Sequence, residues 1–370
     1  MKKMMIFAVV VVFMFSMLFI GTSCKPEAAP AEEAVEEEAA EEAVEEEAAP
    51  AEEEVAEETY TVGFSNASTA NPWRVTFVSI IDYEVERLGN IELISTDAME
   101  DPLKQMADCE DLLTKDIDAL LISPAVSEAL APVVGLAHDE DIPIIVVDRA
   151  IGTPDFDAFV YTDCRVIGEE MMQYIADEFN GEADIVYLAG ITGAGPEIER
   201  MEGMDRVLSK YPGLNIVAQQ DAYWNEADGL TVMEDILQAQ PKIDVVLCSD
   251  GNISIGALRA IKAAGREDEI KVAAMDAHRT DSLINLRDGV IMPFTVLNVI
   301  YVGGWAVKVV HDIIQGKTPT SPDRIVDCPA AFVDINNVDE YIDETLGLTD
   351  YSWKDIYDAE IAKYYDEQMQ

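Results

Sequence analysis

The stretch Asp141-Ile142-Pro143-Ile144-Ile145-Val146-Val147-Asp148-Arg149 decides how the rest of the chain is interpreted. Its apolar, mostly β-branched residues predict a strand that is buried on both faces, as in a parallel sheet. The run ends in a carboxylate and a guanidinium, those of Asp148 and Arg149. In open α/β sheets, ligands bind just beyond the carboxyl ends of the strands. The two side chains therefore fit a ligand contact, and a surface salt bridge at a strand end is the alternative.

Strands and helices alternate on both sides of this stretch. The predicted strands cover residues 60–65, 91–95, 118–122, 142–147, 158–161, 184–189, 214–219, 244–248, 270–275 and 291–296. The predicted helices cover residues 72–88, 101–115, 127–139, 164–179, 197–210, 226–239, 252–264, 280–288 and 299–315. This alternation is typical of βαβ units and parallel sheets. Ten strands would make an unusually wide single sheet, so an α/β fold with two lobes is predicted.

The N-terminus has the layout of an export signal. A basic start at Lys2 and Lys3 is followed by an apolar run, 4–20, and by small residues before Cys24. Residues 1–23 are therefore predicted to be a signal peptide, and Cys24 resembles the lipid-modified cysteine of bacterial lipoproteins. An uncleaved anchor helix is the alternative, since the apolar run approaches the lower length limit for crossing a bilayer. Both place the body outside the cytoplasm, attached to a membrane.

Charge narrows the range of partners. The chain of 370 residues has a net charge of −49, which argues against nucleic acid or an anionic membrane surface. Part of this charge lies in residues 24–58, a tract of Glu, Ala, Val and Pro. Its dense like charge and scarcity of bulky apolar residues prevent a packed core, so it is predicted to be a tether.

The loops that follow the predicted strands carry planar polar groups and large aromatic rings. Aromatic rings suit the C–H faces of a sugar, and Asp, Asn and Arg suit its hydroxyl rim. Two tryptophans, one from each lobe, together with the charged residues, make an inventory suited to a neutral polyol. The candidate ligand-binding residues are Asn71, Trp73, Arg74, Asp148, Arg149, Arg200, Trp224, Asp250, Asp276 and Asn298.

Other kinds of site find little support. The glycine-rich loop 190–196 lacks the Lys-Ser/Thr of a P-loop and departs from the spacing of a dinucleotide site. Asp148 and Asp276, with His278 nearby, could act as an acid/base pair. The three histidines have no metal-ligand spacing, however, and no nucleophile elbow is present. No cofactor, metal or enzymatic activity is therefore predicted.

These residues support a family resemblance. The chain resembles the type I periplasmic solute-binding proteins of bacterial ABC importers, in the branch that includes ribose- and galactofuranose-binding proteins. The resemblance covers about residues 59–335. The motifs that carry it are Asn71-Pro72-Trp73, Ile142-Pro143 through Asp148-Arg149, Arg200 within Glu199-Arg200-Met201-Glu202-Gly203, Gly256-Ala257-Leu258-Arg259-Ala260 and Asp276 at its strand end.

The resemblance implies two Rossmann-like lobes with parallel sheets, three crossovers at a hinge and a monosaccharide held in the cleft by hinge closure. It implies an ABC permease with its ATPase as partner, and a monomer. The corresponding divisions are residues 59–162 plus 298–326 for the N-terminal lobe, 163–297 plus 327–340 for the C-terminal lobe and 341–370 for a helical extension. A sensor that presents a ligand to a membrane receptor is the alternative function.

Three positions depart from the ribose branch. Trp73-Arg74 stands where that branch has two successive aromatic residues, and resembles the galactofuranose-binding relatives, so a furanose fits. Asp250 replaces an Asn. The hinge glutamine falls near Leu297, with Asn298 one residue later. The identity, ring size and anomer of the sugar stay open. No disulfide is predicted among Cys109, Cys164, Cys248 and Cys328.

Overall fold

The computed structural model of the chain describes residues 58–343, 345–347, 350–351, 353, 357 and 363–370. The predicted signal peptide, Cys24 and all of the tether except Glu58 lie outside the described residues. In the part that is described, no helix is long and apolar enough to cross a membrane.

Strands and helices alternate along the described chain. The strands are β1 (Tyr60–Asn66), β2 (Ile91–Asp97), β3 (Ala119–Ser123), β4 (Ile144–Val147), β5 (Ala158–Tyr161), β6 (Glu182–Ala189), β7 (Gly213–Asp221), β8 (Val245–Cys248), β9 (Lys271–Ala274), β10 (Phe294–Leu297), β11 (Ile325–Asp327) and β12 (Ala331–Asp334). The helices are α1 (Pro72–Leu88), α2 (Pro102–Leu113), α3 (Ser127–Leu130), α4 (Pro132–Asp139), α5 (Cys164–Glu178), α6 (Gly195–Leu208), α7 (Glu226–Ala239), α8 (Gly251–Ala263), α9 (Thr280–Arg287) and α10 (Val302–Ile314).

Two parallel sheets form the centres of two lobes. The first sheet has the strand order β11-β5-β4-β3-β1-β2, and the second has the order β7-β6-β8-β9. Strands β3, β4 and β8 are buried at every residue, because helices cover both faces of each sheet. The predicted α/β fold with parallel sheets is confirmed.

Within residues 58–340, the chain passes between the lobes three times: after β5, after β10 and after β11. After the second crossing, α10 packs against α1, β3, β4 and β5 of the first lobe. After the third, β12 pairs antiparallel with β10, whose residues Val296 and Leu297 belong to the cores of the second lobe. The short segments at these crossings lie beside the carboxyl ends of the strands, where the candidate site residues also lie.

One predicted helix is divided. The structure has two helices, α3 and α4, where the sequence predicts one over residues 127–139. Pro132 lacks a backbone N–H and cannot donate to the preceding turn, so it begins a new helix, although Ala131 between the two helices keeps helical dihedrals. The two strands that were not among the ten predicted, β11 and β12, are only three and four residues long.

The described residues of the C-terminal extension pack against the body. A 3₁₀ turn spans Val338–Tyr341. Further on, Tyr357 and Tyr365 are buried in the core of the first lobe. Tyr351 forms an isolated bridge with Arg279 of the second lobe. The extension therefore contacts both lobes.

Candidate functional site

A cavity lies between the two sheets at the carboxyl ends of their strands. All ten candidate residues from the sequence line it, together with Pro196, which the sequence did not single out. The lining is Asn71, Trp73, Arg74, Asp148, Arg149, Pro196, Arg200, Trp224, Asp250, Asp276 and Asn298.

The first lobe contributes an arginine held by a carboxylate. Helix α1 begins at Pro72 after the N-cap Asn71, whose Oδ1 accepts a hydrogen bond from the Arg74 backbone N–H at 2.9 Å. Arg74, the third residue of α1, therefore lies at the carboxyl edge of the first sheet. The Arg74 Nη2 lies 2.5 Å from Asp148 Oδ2, and its Nη1 donates to Ser123 Oγ at 3.0 Å. Burial, with the charge of Arg149, lowers the pKa of Arg74 to about 10, so the guanidinium stays protonated near neutral pH.

The second lobe repeats this arrangement. Arg200 on α6 forms an ion pair with Asp276 after β9 and donates from Nη1 to Ser249 Oγ at 3.0 Å. Asp148, directly after β4, and Asp276, two residues after the end of β9, both adopt positive φ, 62° and 50°. Asp tolerates this region better than most residues do, and the turn stops the strand where the carboxylate is needed. Each lobe thus presents one Arg–Asp pair to the cavity, and a serine accepts a further hydrogen bond from each arginine.

Asn298 joins the two groups. Its Nδ2 donates to Asp148 Oδ1 at 3.2 Å, and its backbone N–H donates to Asp276 Oδ1 at 2.5 Å. His278 Nε2 contacts Asp276 Oδ1 at 3.0 Å and the carbonyl oxygen of Asn298 at 2.6 Å. Leu297, by contrast, packs in the core of the second lobe. Of the two residues at the second crossing, Asn298 is therefore the one that meets the cavity.

Arg149 is held by a residue that the sequence analysis missed. Glu100 accepts hydrogen bonds from both terminal nitrogens of Arg149, at 2.8 and 3.0 Å. Burial acts to raise the pKa of Glu100, but the hydrogen bond and charge of Arg149 outweigh it, and the pKa lies below its usual value. Arg149 is 1% exposed and Asp148 is 5% exposed, so a surface salt bridge is the wrong reading of this strand end. Glu100 follows β2, and attention to every loop after a strand would have found it.

Trp224 is positioned by buried hydrogen bonds. Its Nε1 donates to Ser249 Oγ at 3.1 Å, and Ser249 donates to Glu197 Oε2 at 2.7 Å. A Cβ at Gly190 would overlap the indole ring, so only glycine fits there. The glycine-rich loop thus makes room for an aromatic ring. The sequence analysis also missed Glu197. Its carboxylate accepts hydrogen bonds from the Tyr187 hydroxyl and from the Gly190 backbone N–H, and the sequence does not show that these groups meet.

Asp250 is a buried carboxylate with polar neighbours. It is the N-cap of α8, accepting from Ile253 N at 2.8 Å, and its Oδ2 accepts from Asn252 Nδ2 at 2.6 Å. Burial raises its pKa to about 6, despite these two hydrogen bonds. The Asp250 carboxyl therefore gains or loses its proton just below neutral pH.

Four cavity-lining residues of the described chain have a buried polar atom with no hydrogen-bond partner. These atoms are Trp73 Nε1, Arg149 Nε, Arg200 Nε and Asn298 Oδ1. They comprise three donors and one acceptor from both lobes. Hydroxyl groups both donate and accept, so one polyhydroxylated molecule can satisfy such a mixed set. Trp73 itself stacks on Phe77, with ring centroids 5.3 Å apart, which fixes the plane of its indole.

The lobes are closed around the cavity. The Arg149 guanidinium of the first lobe lies 5.5 Å from the Trp224 ring of the second. An added Cβ at Gly195 would lie 2.8 Å from the Ala150 backbone nitrogen. The lobes therefore meet at van der Waals distance beside the cavity.

The cavity is charge-balanced, with three arginines (Arg74, Arg149, Arg200) facing three aspartates (Asp148, Asp250, Asp276). Among the described residues, no group of three or more His, Cys, Asp or Glu side chains is placed to hold a metal ion. Such a cavity suits a neutral polar molecule rather than an ion.

Comparison with known proteins relates this arrangement to a family. A family model for the periplasmic binding protein domain matches residues 62–318. The ribose import binding protein of Bacillus subtilis (strain 168) is 31% identical over 261 residues, which make up 70% of this chain and 84% of that protein.

Solved structures extend the comparison. The binding component of the arabinose ABC transporter of Shewanella sp. ANA-3, bound to α- and β-L-arabinofuranose, is 27% identical with a TM-score of 0.70, covering 76% of this chain and 93% of that one. The fructose-binding periplasmic domain of a hybrid two-component system is 28% identical, also with a TM-score of 0.70, covering 76% of this chain and 92% of that one.

Proposed function

The chain belongs to the periplasmic binding protein family, and from this premise we propose that it captures a monosaccharide between its lobes for an ABC importer. The observation that carries the proposal is the set of unpartnered donors and acceptors around a charge-balanced cavity. A sugar supplies hydroxyls to these atoms and C–H faces to Trp73 and Trp224. No catalytic step is part of the proposal, because family members bind a substrate and hand it on.

A furanose is the ring form that we favour. Trp73-Arg74 resembles the galactofuranose-binding relatives, and the Shewanella relative holds arabinofuranose. Arg74 is locked by Asp148 and Ser123, so its guanidinium is a fixed donor rather than a mobile one. A fixed donor beside an indole selects the position of a hydroxyl group on a compact ring.

Binding proceeds by hinge closure. In the closed state a ligand contacts both lobes at once, whereas an open state offers it only one. Only this difference in affinity shifts the population toward closure. The closed form then docks on a permease and its ATPase. We further propose that the protein acts as an extracytoplasmic monomer attached to a membrane through lipid on Cys24.

Thermal unfolding of the full chain with a panel of pentoses, hexoses, furanose-rich sugars and polyols tests the function. We expect at least one neutral member to raise the unfolding temperature, since a ligand bound only by the native state stabilises it. Calorimetry with that sugar should show at least a tenfold loss of affinity in Arg149→Ala, from lost charge-assisted hydrogen bonds. Arg206→Ala, on the exposed side of α6, is the matched control. No response to any neutral polyol would refute the proposal.

A sensor is the second candidate, and the relative from a hybrid two-component system favours it. Such a protein would present its sugar to a membrane receptor kinase instead of a permease. Crosslinking of the membrane-attached protein in the presence of the bound sugar, followed by identification of its partner, separates the two. A permease supports the importer, and a receptor kinase supports the sensor.

A further inference from the structure

The C-terminal extension touches both lobes within four residues. Its Asp350, Tyr351 and Trp353, here called the clasp, lie after residue 318, where the match to the family model ends. The clasp borders the start of α1, including Asn71, which also lines the ligand cavity. It therefore lies at the edge of the cleft rather than on a remote surface.

On the second lobe, the clasp makes hydrogen bonds at the start of α9. The carbonyl oxygen of Asp350 accepts from the Thr280 backbone N–H at 3.1 Å and from Thr280 Oγ1 at 3.0 Å. Tyr351 forms a β-bridge with Arg279, and its ring centroid lies 6.0 Å from that of His278. These contacts attach the clasp to the element that follows Asp276.

Tyr351 is also linked to Asp250, a candidate ligand-binding residue, through the side chain of Asn252. Its hydroxyl accepts from Asn252 Nδ2 at 3.3 Å, and the same nitrogen donates to Asp250 Oδ2 at 2.6 Å. Arg279 donates to the other side of Asn252, at Oδ1, over 3.1 Å. Tyr351 is 6% exposed, so this contact is shielded from water. The clasp thus helps to orient the carboxamide that holds Asp250.

On the first lobe, the attachment is aromatic. Trp353 packs edge-to-face on Tyr83 of α1, with ring centroids 5.3 Å apart. The Tyr351 ring itself belongs to the buried core of the first lobe, although its hydroxyl contacts the second. Residues 351 and 353 are separated by at most about 7 Å of chain. The lobes consequently cannot separate at this point unless one of the two attachments breaks.

We propose that the clasp is a latch between the lobes, which favours the closed cleft and positions Asp250 through Asn252. The effect on sugar capture rests on the proposed function, whereas the latch itself is a property of the unliganded chain. The attachment that breaks on opening contributes free energy to the closed state only, so weakening it raises the open population. Opening then becomes easier, and a bound sugar leaves faster.

Distance measurements between the lobes of the full chain test the latch without any added sugar. Spin labels at Glu110→Cys on α2 and Glu234→Cys on α7 report the separation, in a Cys24→Ser background. The four cysteines of the described chain are buried and stay unlabelled. Both label positions are exposed, one in each lobe.

We expect Tyr351→Phe to lower the ratio of closed to open molecules about fivefold, which is the change in an equilibrium constant that loss of one hydrogen bond typically causes. Trp353→Ala weakens the attachment to the first lobe, and it shifts the ratio in the same direction where that attachment is the one that breaks on opening. Tyr211→Phe is the matched control, because it removes a phenol that accepts from the amide of Gln173 in the second lobe, away from the cleft. Ratios unchanged in both clasp variants, or shifted equally in the control, overturn the latch. A wild-type chain that binds no sugar would refute the proposed function instead, and leaves this measurement intact.

Discussion

Individual side chains in this cavity are held by partners that are distant in sequence. Arg74 meets a carboxylate 74 residues away, and Arg200 meets one 76 residues away. Leaving a buried guanidinium without its carboxylate costs several kcal/mol, about 3–5 in typical proteins. The pairs therefore fix the rotamers of the donors before a ligand arrives, and this preorganisation lowers the entropy cost of binding.

Asp250 gives a prediction at this scale. Its pKa of about 6 in the folded chain lies above the value of about 3.9 expected when unfolded. The folded state thus loses stability as pH rises from about 4 through 6, because ionisation is disfavoured there. Asp250→Asn keeps an N-cap residue and has no charge to desolvate.

We expect this variant to be more stable than wild type above pH 6, by about 2–3 kcal/mol. The difference should vanish toward pH 4. Urea unfolding at several pH values measures it. A stability difference that does not change with pH would contradict the raised pKa.

At the scale of elements, glycines let helices of the second lobe pack closely. A Cβ at Gly168 of α5 would overlap the backbone carbonyl of Arg200 on α6, and a Cβ at Gly203 would overlap that of Arg165. The two helices thus cross with their backbones in contact. Because Arg200 is at this crossing, helix packing sets the position of a cavity guanidinium.

Gly168→Ala is expected to push α6 away from α5 and to displace Arg200. We expect a loss of stability of about 1–3 kcal/mol from overpacking, together with weaker sugar binding. Gly135→Ala in α4 is the control, since a Cβ there meets nothing within 4 Å. That control should gain up to about 1 kcal/mol from helix propensity. Thermal unfolding and calorimetry check both, and equal behaviour of the two variants would refute the packing argument.

The elements themselves were largely predictable from sequence. Cap and breaker residues are local signals, so α1 after Asn71 and α7 after Asn225 begin and end where predicted. The strand-end residues could be gathered into one site because parallel strands bring their carboxyl ends to one edge. Glu100 and Glu197 could not be assigned to the site from the sequence, because their roles depend on which side chains pack against them in the fold. Pro132 was overlooked, although its effect on a helix is local.

At the scale of the whole molecule, closure should be visible as compaction. The lobes touch at Gly195 and Ala150. We expect a bound sugar to reduce the radius of gyration in small-angle scattering, and Gly195→Val to hold the lobes apart so that the reduction disappears. Ser209→Val, at the far end of the same helix, is the control. A wild-type chain that does not contract with saturating sugar would contradict hinge closure.

The net charge of −49 and the neutral cavity act on different classes of solute. A strongly negative exterior repels anions over roughly a Debye length, about 8 Å at physiological ionic strength. We therefore expect sugar acids and phosphorylated sugars to be depleted at the cavity entrance and uncharged sugars to be unaffected. We expect rising salt to weaken this electrostatic exclusion of anions and to leave the recognition of hydroxyl groups in the cavity unchanged.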